Sequence, residues 1–216
     1  MDILHTLFDF LLNLDQHLFT FVSQYGSWTY ALLFLIIFIE TGLVVAPFLP
    51  GDSLLFAAGT IAANTSNSLN IHILFILLVT ASIIGNSLNY LIGRFIGPKV
   101  FHSPSSRFFN KQHLVRANTF YKKYGGKALV LARFMPIIRS FAPFVAGIAS
   151  MNFKRFMAYN VLGAVLWVGS LLYTSYLFSN LAFVKEHFST VILVIIGISL
   201  LPPLIEMSRH LYLKRA

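Results

Sequence analysis

The stretch ARFMPIIRSFAPFVAG, residues 132–147, sets two prolines and two arginines inside an otherwise apolar run. A helix that crosses a bilayer accommodates neither easily. Pro136 and Pro143 each lack a backbone donor, and an ionised side chain at the bilayer centre costs about 2.5–3.5 kcal/mol on insertion scales. The tract that contains them, Ala128–Ala149, lies between basic flanks at Lys122, Lys123 and Lys127 on one side and Lys154 and Arg155 on the other. Basic flanks belong on the cytoplasmic side of a membrane, so a tract that crossed would leave one of them outside. A tract that dips in and returns keeps both inside. We therefore expect a re-entrant hairpin over 128–149, with arms of about ten residues that reach ~15 Å, near the bilayer midplane. Its prolines should sit near the tip.

Composition sets the environment. Hydrophobic residues make up 57% of the 216 and charged residues 11%, with a mean hydropathy of +0.76. A soluble domain carries about 25% charge, because its surface must be polar, so this chain reads as an integral membrane protein. The net charge of +9 is uneven: no Lys or Arg precedes Arg94, and eight of the sixteen fall between Arg94 and Lys127. Between hydrophobic spans, that basic and aromatic segment reads as a cytoplasmic loop beside anionic lipid rather than as a nucleic-acid surface. Cysteine is absent, which excludes disulfides, thiolate metal sites and a thiol nucleophile. The N-terminus lacks the basic region and cleavage site of a signal peptide and should remain in the mature protein.

Apolar tracts run over Ile3–Val22, Trp28–Ala63, Ile71–Ile92, Ala128–Ala149, Phe156–Phe178 and Val191–Pro203. Ile71–Ile92 should enter from an outer loop and end at the cytoplasmic basic segment. Phe156–Phe178 exits, Val191–Pro203 returns, and a basic tail over 209–216 ends inside. Pro47 and Pro50 interrupt Trp28–Ala63 as Pro136 and Pro143 interrupt the later tract, and each broken tract precedes a spanning helix. The expected fold is an all-α polytopic membrane protein: two facing re-entrant helical hairpins in an inverted repeat, the first over 28–63 and the second over 128–149, plus spanning helices. They belong to one membrane domain over 26–208, preceded by an interfacial amphipathic helix over 1–25 that carries Asp2, Asp9 and Asp15.

Glu40 and Asp52 bracket the first hairpin, and Arg133 and Arg139 the tip of the second. Mutual pairing offsets the cost of burying them. On an unbroken helix, six residues turn through about 600° and would place the two arginines on different faces, a constraint that the proline break removes. Irregular backbone at membrane depth is tolerated where it lines a cavity, so charge and broken backbone point to one polar site. The alternatives are an ion-pair cluster that only fixes the hairpins together, and a site for an anionic headgroup with Arg133 and Arg139 as phosphate donors and Glu40 or Asp52 as proton carrier.

These residues resemble the DedA family of bacterial inner-membrane proteins, whose domain is also called the SNARE-associated or VTT domain. The resemblance rests on ETGLVVAPFLPGD, on GNSLNYLIGR with Tyr90, Gly93 and Arg94, on ARFMPIIRSFAPFVAG, and on FMAYNVLGAVLW with Asn160, Gly163 and Trp167. It covers nearly the whole chain. It implies facing re-entrant hairpins, functional roles for Glu40, Asp52, Arg133 and Arg139, and lipid translocation that depends on the proton motive force, with undecaprenyl phosphate and phosphatidylethanolamine as described substrates. Two positions depart from the family pattern. Asn86 stands where many members carry an acid, and Ile137 where a glycine often follows the proline.

The remaining signals are weak. The seven histidines show no metal-ligand spacing, GGK at 125–127 lacks the rest of a phosphate-binding loop, and NTS at Asn64 is a short chance match to a glycosylation acceptor. Gly42, Ala57, Ala58, Gly59, Ala146 and Gly163 read as helix-packing contacts, and Trp167 as lipid-facing or core. No metal or cofactor is expected. The expected function is a transporter, not an enzyme, that moves an anionic lipid headgroup, undecaprenyl phosphate first, across the bacterial inner membrane, with lipid and protons as partners. A phosphatidylethanolamine translocase, a proton-coupled ion or drug antiporter and a lipid-phosphate hydrolase are the alternatives, and a homodimer is compatible with the sequence.

Overall fold

A computed structural model describes residues 26–43, 51–63, 69–100 and 124–179. The N-terminal segment over 1–25, Pro47 and Pro50, most of the basic loop, the Val191–Pro203 tract and the 209–216 tail lie outside the described residues. The described chain is all helical: α1 (Trp28–Gly42), α2 (Gly51–Ala62), α3 (Ile71–Val100), α4 (Lys127–Ala132), α5 (Pro136–Ile148) and α6 (Phe153–Phe178). Two of these are long and apolar enough to cross a bilayer, over Ile71–Ile96 and Phe153–Phe178. At 1.5 Å per residue, a helix of 26 residues spans about 39 Å against a hydrocarbon core of about 30 Å. Large apolar side chains stay exposed on both, among them Ile76, Leu88 and Phe95 on α3 and Leu162, Leu166 and Leu177 on α6. Such faces suit lipid.

Local sequence sets the helix ends. Asn70 caps α3, its Oδ1 accepting from the N–H groups of His72 and Ile73, and Asn152 caps α6 in the same way through Lys154 and Arg155. After α5, Ser150 adopts a positive φ of 51°. The Met151 N–H reaches back to the Ala146 carbonyl at 3.0 Å, which closes the turn as a Schellman motif. These two devices turn the chain from α5 into α6 within Ala149–Asn152.

The described residues fall into two compact units. The first holds 26–35, α2, residues 69–78 and 168–179. Here α2 is buried along most of its length. Gly59 allows α2 to approach α6, because a Cβ there would collide with Ser175 Oγ and the Leu172 carbonyl. Tyr173 packs its ring 5.4 Å from Phe75 and places its hydroxyl 3.0 Å from His72 Nδ1.

The second unit holds 36–43, 79–100 and 124–167. α4 and α5 contact each other and are separated by a break at Arg133–Met135. Against the expected arms of about ten residues, α4 has six residues and α5 thirteen. The prolines explain the asymmetry. Pro136 opens α5, where its missing N–H costs nothing, while Pro143 is buried inside α5 rather than at the tip. α5 crosses α3 at a pair of glycines: a Cβ on Gly93 would strike the Phe144 carbonyl, and one on Gly147 the Tyr90 carbonyl. Around this crossing Tyr90, Leu129, Ala142, Ala146 and Phe156 form the core, with Tyr90 stacked 4.3 Å from Phe156 and its hydroxyl donating to the Met151 carbonyl.

Candidate functional site

The second unit buries a polar cluster among apolar helices. α1 contributes Glu40 and Thr41 near its C-terminus. α3 contributes Ser82, Asn86 and Asn89, whose spacing of four and three residues aligns them on one helical face. The α4–α5 segment contributes Arg133, Arg139 and Ser140, and α6 contributes Asn160 and Trp167. All are buried, and both arginines are under a tenth exposed.

The break between α4 and α5 separates the two arginines. Arg133 caps the C-terminus of α4, Met135 is extended (φ −115°, ψ 106°) as the residue before a proline prefers, and α5 begins at Pro136. Arg139 is then set in the first turn of α5, its N–H bonded to the Met135 carbonyl at 2.9 Å. Its guanidinium forms a buried ion pair with Glu40, Nη2 donating to Oε1, and lies 5.0 Å over the Trp167 ring. The ring face supplies negative potential to the cation.

Arg133 has a different environment. Its Nη1 donates to Ser82 Oγ at 2.6 Å, and its Nη2 to Asn160 Oδ1 at 2.5 Å and to the Asn160 carbonyl at 3.2 Å. Asn160 is itself fixed, with Nδ2 donating to the Ile83 carbonyl at 3.1 Å. The Asn86 amide satisfies its neighbours when Oδ1 accepts from Arg133 Nη2 at 2.7 Å and Nδ2 donates to the Thr41 carbonyl at 3.1 Å. Gly163 leaves room for the arginine, since a Cβ there would lie 2.7 Å from Arg133 Cδ. Every one of these acceptors is neutral. Among the described residues, this buried cluster holds two guanidinium groups and one carboxylate, and the carboxylate is bonded to Arg139.

Within the second unit the structure brings together Glu40, Arg133 and Arg139. Asp52 belongs to the first unit, partly exposed in the first turn of α2, where a carboxylate complements the helix dipole. Pro136 and Pro143 sit at the start and in the body of α5, and Pro47 and Pro50 lie outside the described residues. Ser82, Asn89, Thr41 and Ser140 escaped the sequence reading. Their signal was a polar stripe on helices otherwise built for lipid: Asn89 Nδ2 donates to the Ser140 carbonyl at 2.6 Å, tying α3 to α5. Trp167, read as lipid-facing or core, is a buried partner of Arg139, and Gly163, read as packing, opens space for Arg133. Among the described residues no three His, Asp or Glu side chains converge as a metal site requires.

The family model described as the VTT domain matches residues 49–177. Protein DedA of Escherichia coli is 50% identical over 210 residues, covering 97% of this chain and 96% of that protein. An uncharacterized membrane protein of Mycobacterium tuberculosis is 37% identical over 185 residues, covering 86% and 81%. The inner membrane protein YghB of Escherichia coli is 33% identical over 198 residues, covering 89% of each. No solved structure matches the chain. The motif set, the long apolar helices and these relatives agree, and the chain belongs to the VTT-domain, or DedA, family of membrane proteins.

Proposed function

We propose that this chain is a multi-pass transporter of the bacterial inner membrane that moves an anionic lipid headgroup, undecaprenyl phosphate first, while the lipid tail stays in the bilayer. The observation that carries this reading is Arg133: a buried guanidinium held by Ser82, Asn86 and Asn160, none of which bears charge. Burying a charge is costly unless it is paired. A phosphate ester supplies the missing anion and accepts from arginine through two oxygens at once. In this reading the α4–α5 segment dips in from the cytoplasmic leaflet and returns. Glu40 releases Arg139 to the phosphate when it takes up a proton, and Asp52 serves as a second proton carrier, which links transport to the proton motive force.

Reconstitution into vesicles tests the proposal. Movement of a labelled phosphate lipid between leaflets is followed for wild type, Arg133→Lys and Arg139→Lys. Lysine keeps the charge but loses the two-pronged geometry, so transfer should fall at least tenfold in both variants. Unchanged transfer in both would contradict phosphate recognition, and release of inorganic phosphate would identify a hydrolase instead.

A further inference from the structure

With the Asn86 amide assigned the orientation that satisfies its neighbours, Asn86 and Asn160 approach the same nitrogen of Arg133 through their amide oxygens, at 2.7 and 2.5 Å. They are not equivalent. The orientation of Asn160 is imposed from elsewhere, because its Nδ2 already donates to the Ile83 carbonyl and to Ser87 Oγ. Asn86 bridges two parts of the site, accepting from Arg133 and donating to the carbonyl of Thr41, the residue that follows Glu40. Six residues along the chain, Arg139 has what Arg133 lacks among the described residues, a carboxylate on its guanidinium. An aspartate at position 86 would have nearly the same shape as asparagine and would give Arg133 the same kind of partner.

We propose that Asn86 is the charge-setting positioning residue of the site: it holds the Arg133 guanidinium with an uncharged oxygen, and so keeps the charge of that arginine for a phosphate-ester group. The inference rests on the phosphate reading above and deepens it. With asparagine at 86, the described residues of the cluster set two cations against one carboxylate, and the Arg133 end of it favours an anion. With aspartate there, the charges balance and an incoming phosphate must displace a carboxylate from each arginine.

The test compares wild type, N86D and N86L, with R133K as reference, as full chains in vesicles. A short-chain fluorescent lipid phosphate monoester is the transported probe, and inorganic phosphate is the competitor. N86D should weaken apparent affinity for the lipid at least tenfold while its melting temperature stays at or above that of wild type, because a new ion pair forms. N86L removes both hydrogen bonds without adding charge, so its melting temperature should fall while affinity weakens several-fold less than in N86D. Affinity and stability therefore move in opposite orders in the two variants, which a purely structural role does not produce. Competition by inorganic phosphate in wild type that weakens in N86D shows that the phosphate group alone is recognised. No competition, with the lipid effect retained, shows that the headgroup is read only on a lipid. Either result supports the proposal. Equal losses in N86D and N86L, or an unchanged N86D beside an impaired R133K, overturns the role of Asn86 alone, whereas an unchanged R133K overturns the phosphate reading beneath it.

Discussion

Glu40 and Arg139 come from residues 99 apart in sequence and meet with almost no exposure to solvent. Removing one partner of a buried pair leaves the other charge uncompensated, at a cost of about 3–5 kcal/mol. Glu40→Gln should therefore lower the melting temperature of the purified protein by several degrees, and Glu40→Gln with Arg139→Gln should recover much of the loss. Thermal unfolding of the single and double variants forms the cycle that checks it, and additive losses would mean that the two side chains are not coupled. At this scale the sequence made the charged residues legible, because Glu40, Arg133 and Arg139 stand out in apolar surroundings. It did not reveal which charges pair. The neutral partners are harder still: Ser82 and Asn89 are ordinary residues until α3 is wound into a helix and they fall on one face with Asn86.

The α4–α5 segment is the element on which the site depends, and its break falls just before Pro136. Pro136 starts α5 and lets Arg133 and Arg139 leave the chain on either side of an extended Met135. Pro143 lies inside α5 and not at its break, because a proline inside a helix is accommodated when other groups serve the nearby backbone. Here Asn89 donates to the Ser140 carbonyl in the same turn region, a contact made by a distant helix and invisible along the sequence. The close crossing of α3 and α5 is a second such case. Since a Cβ at Gly93 or Gly147 meets backbone atoms that cannot rotate away, Gly93→Ala and Gly147→Ala should each destabilise by roughly 1–3 kcal/mol. Combined, they should cost less than the sum, because one displacement of the helices relieves both contacts. Gly125 has a positive φ but open space around it, so Gly125→Ala should cost only about 1–2 kcal/mol of backbone strain. Denaturation midpoints rank the three.

For the whole molecule, the arrangement in the membrane follows from where the positive charge falls. Without native cysteine, single thiols report it directly. Ser27→Cys and Ser66→Cys should react with an impermeant reagent applied from outside, and Tyr124→Cys and Lys154→Cys only after the membrane is opened. Ser27, Tyr124 and Lys154 are exposed and suit labelling. Opposite reactivity at Ser27 and Ser66 would mean that the region between them crosses the membrane instead of returning.

In the proposed function, the buried Arg133 guanidinium, whose partners among the described residues are all neutral, reads a phosphate group. The direct measurement is equilibrium binding to the purified full chain of a polyisoprenyl phosphate and of the matching polyisoprenol, which differs only in lacking the phosphate group. We predict binding of the phosphate form, at least tenfold weaker in Arg133→Lys, and little binding of the alcohol. Equal affinity for the two lipids, unchanged by the substitution, would contradict the account.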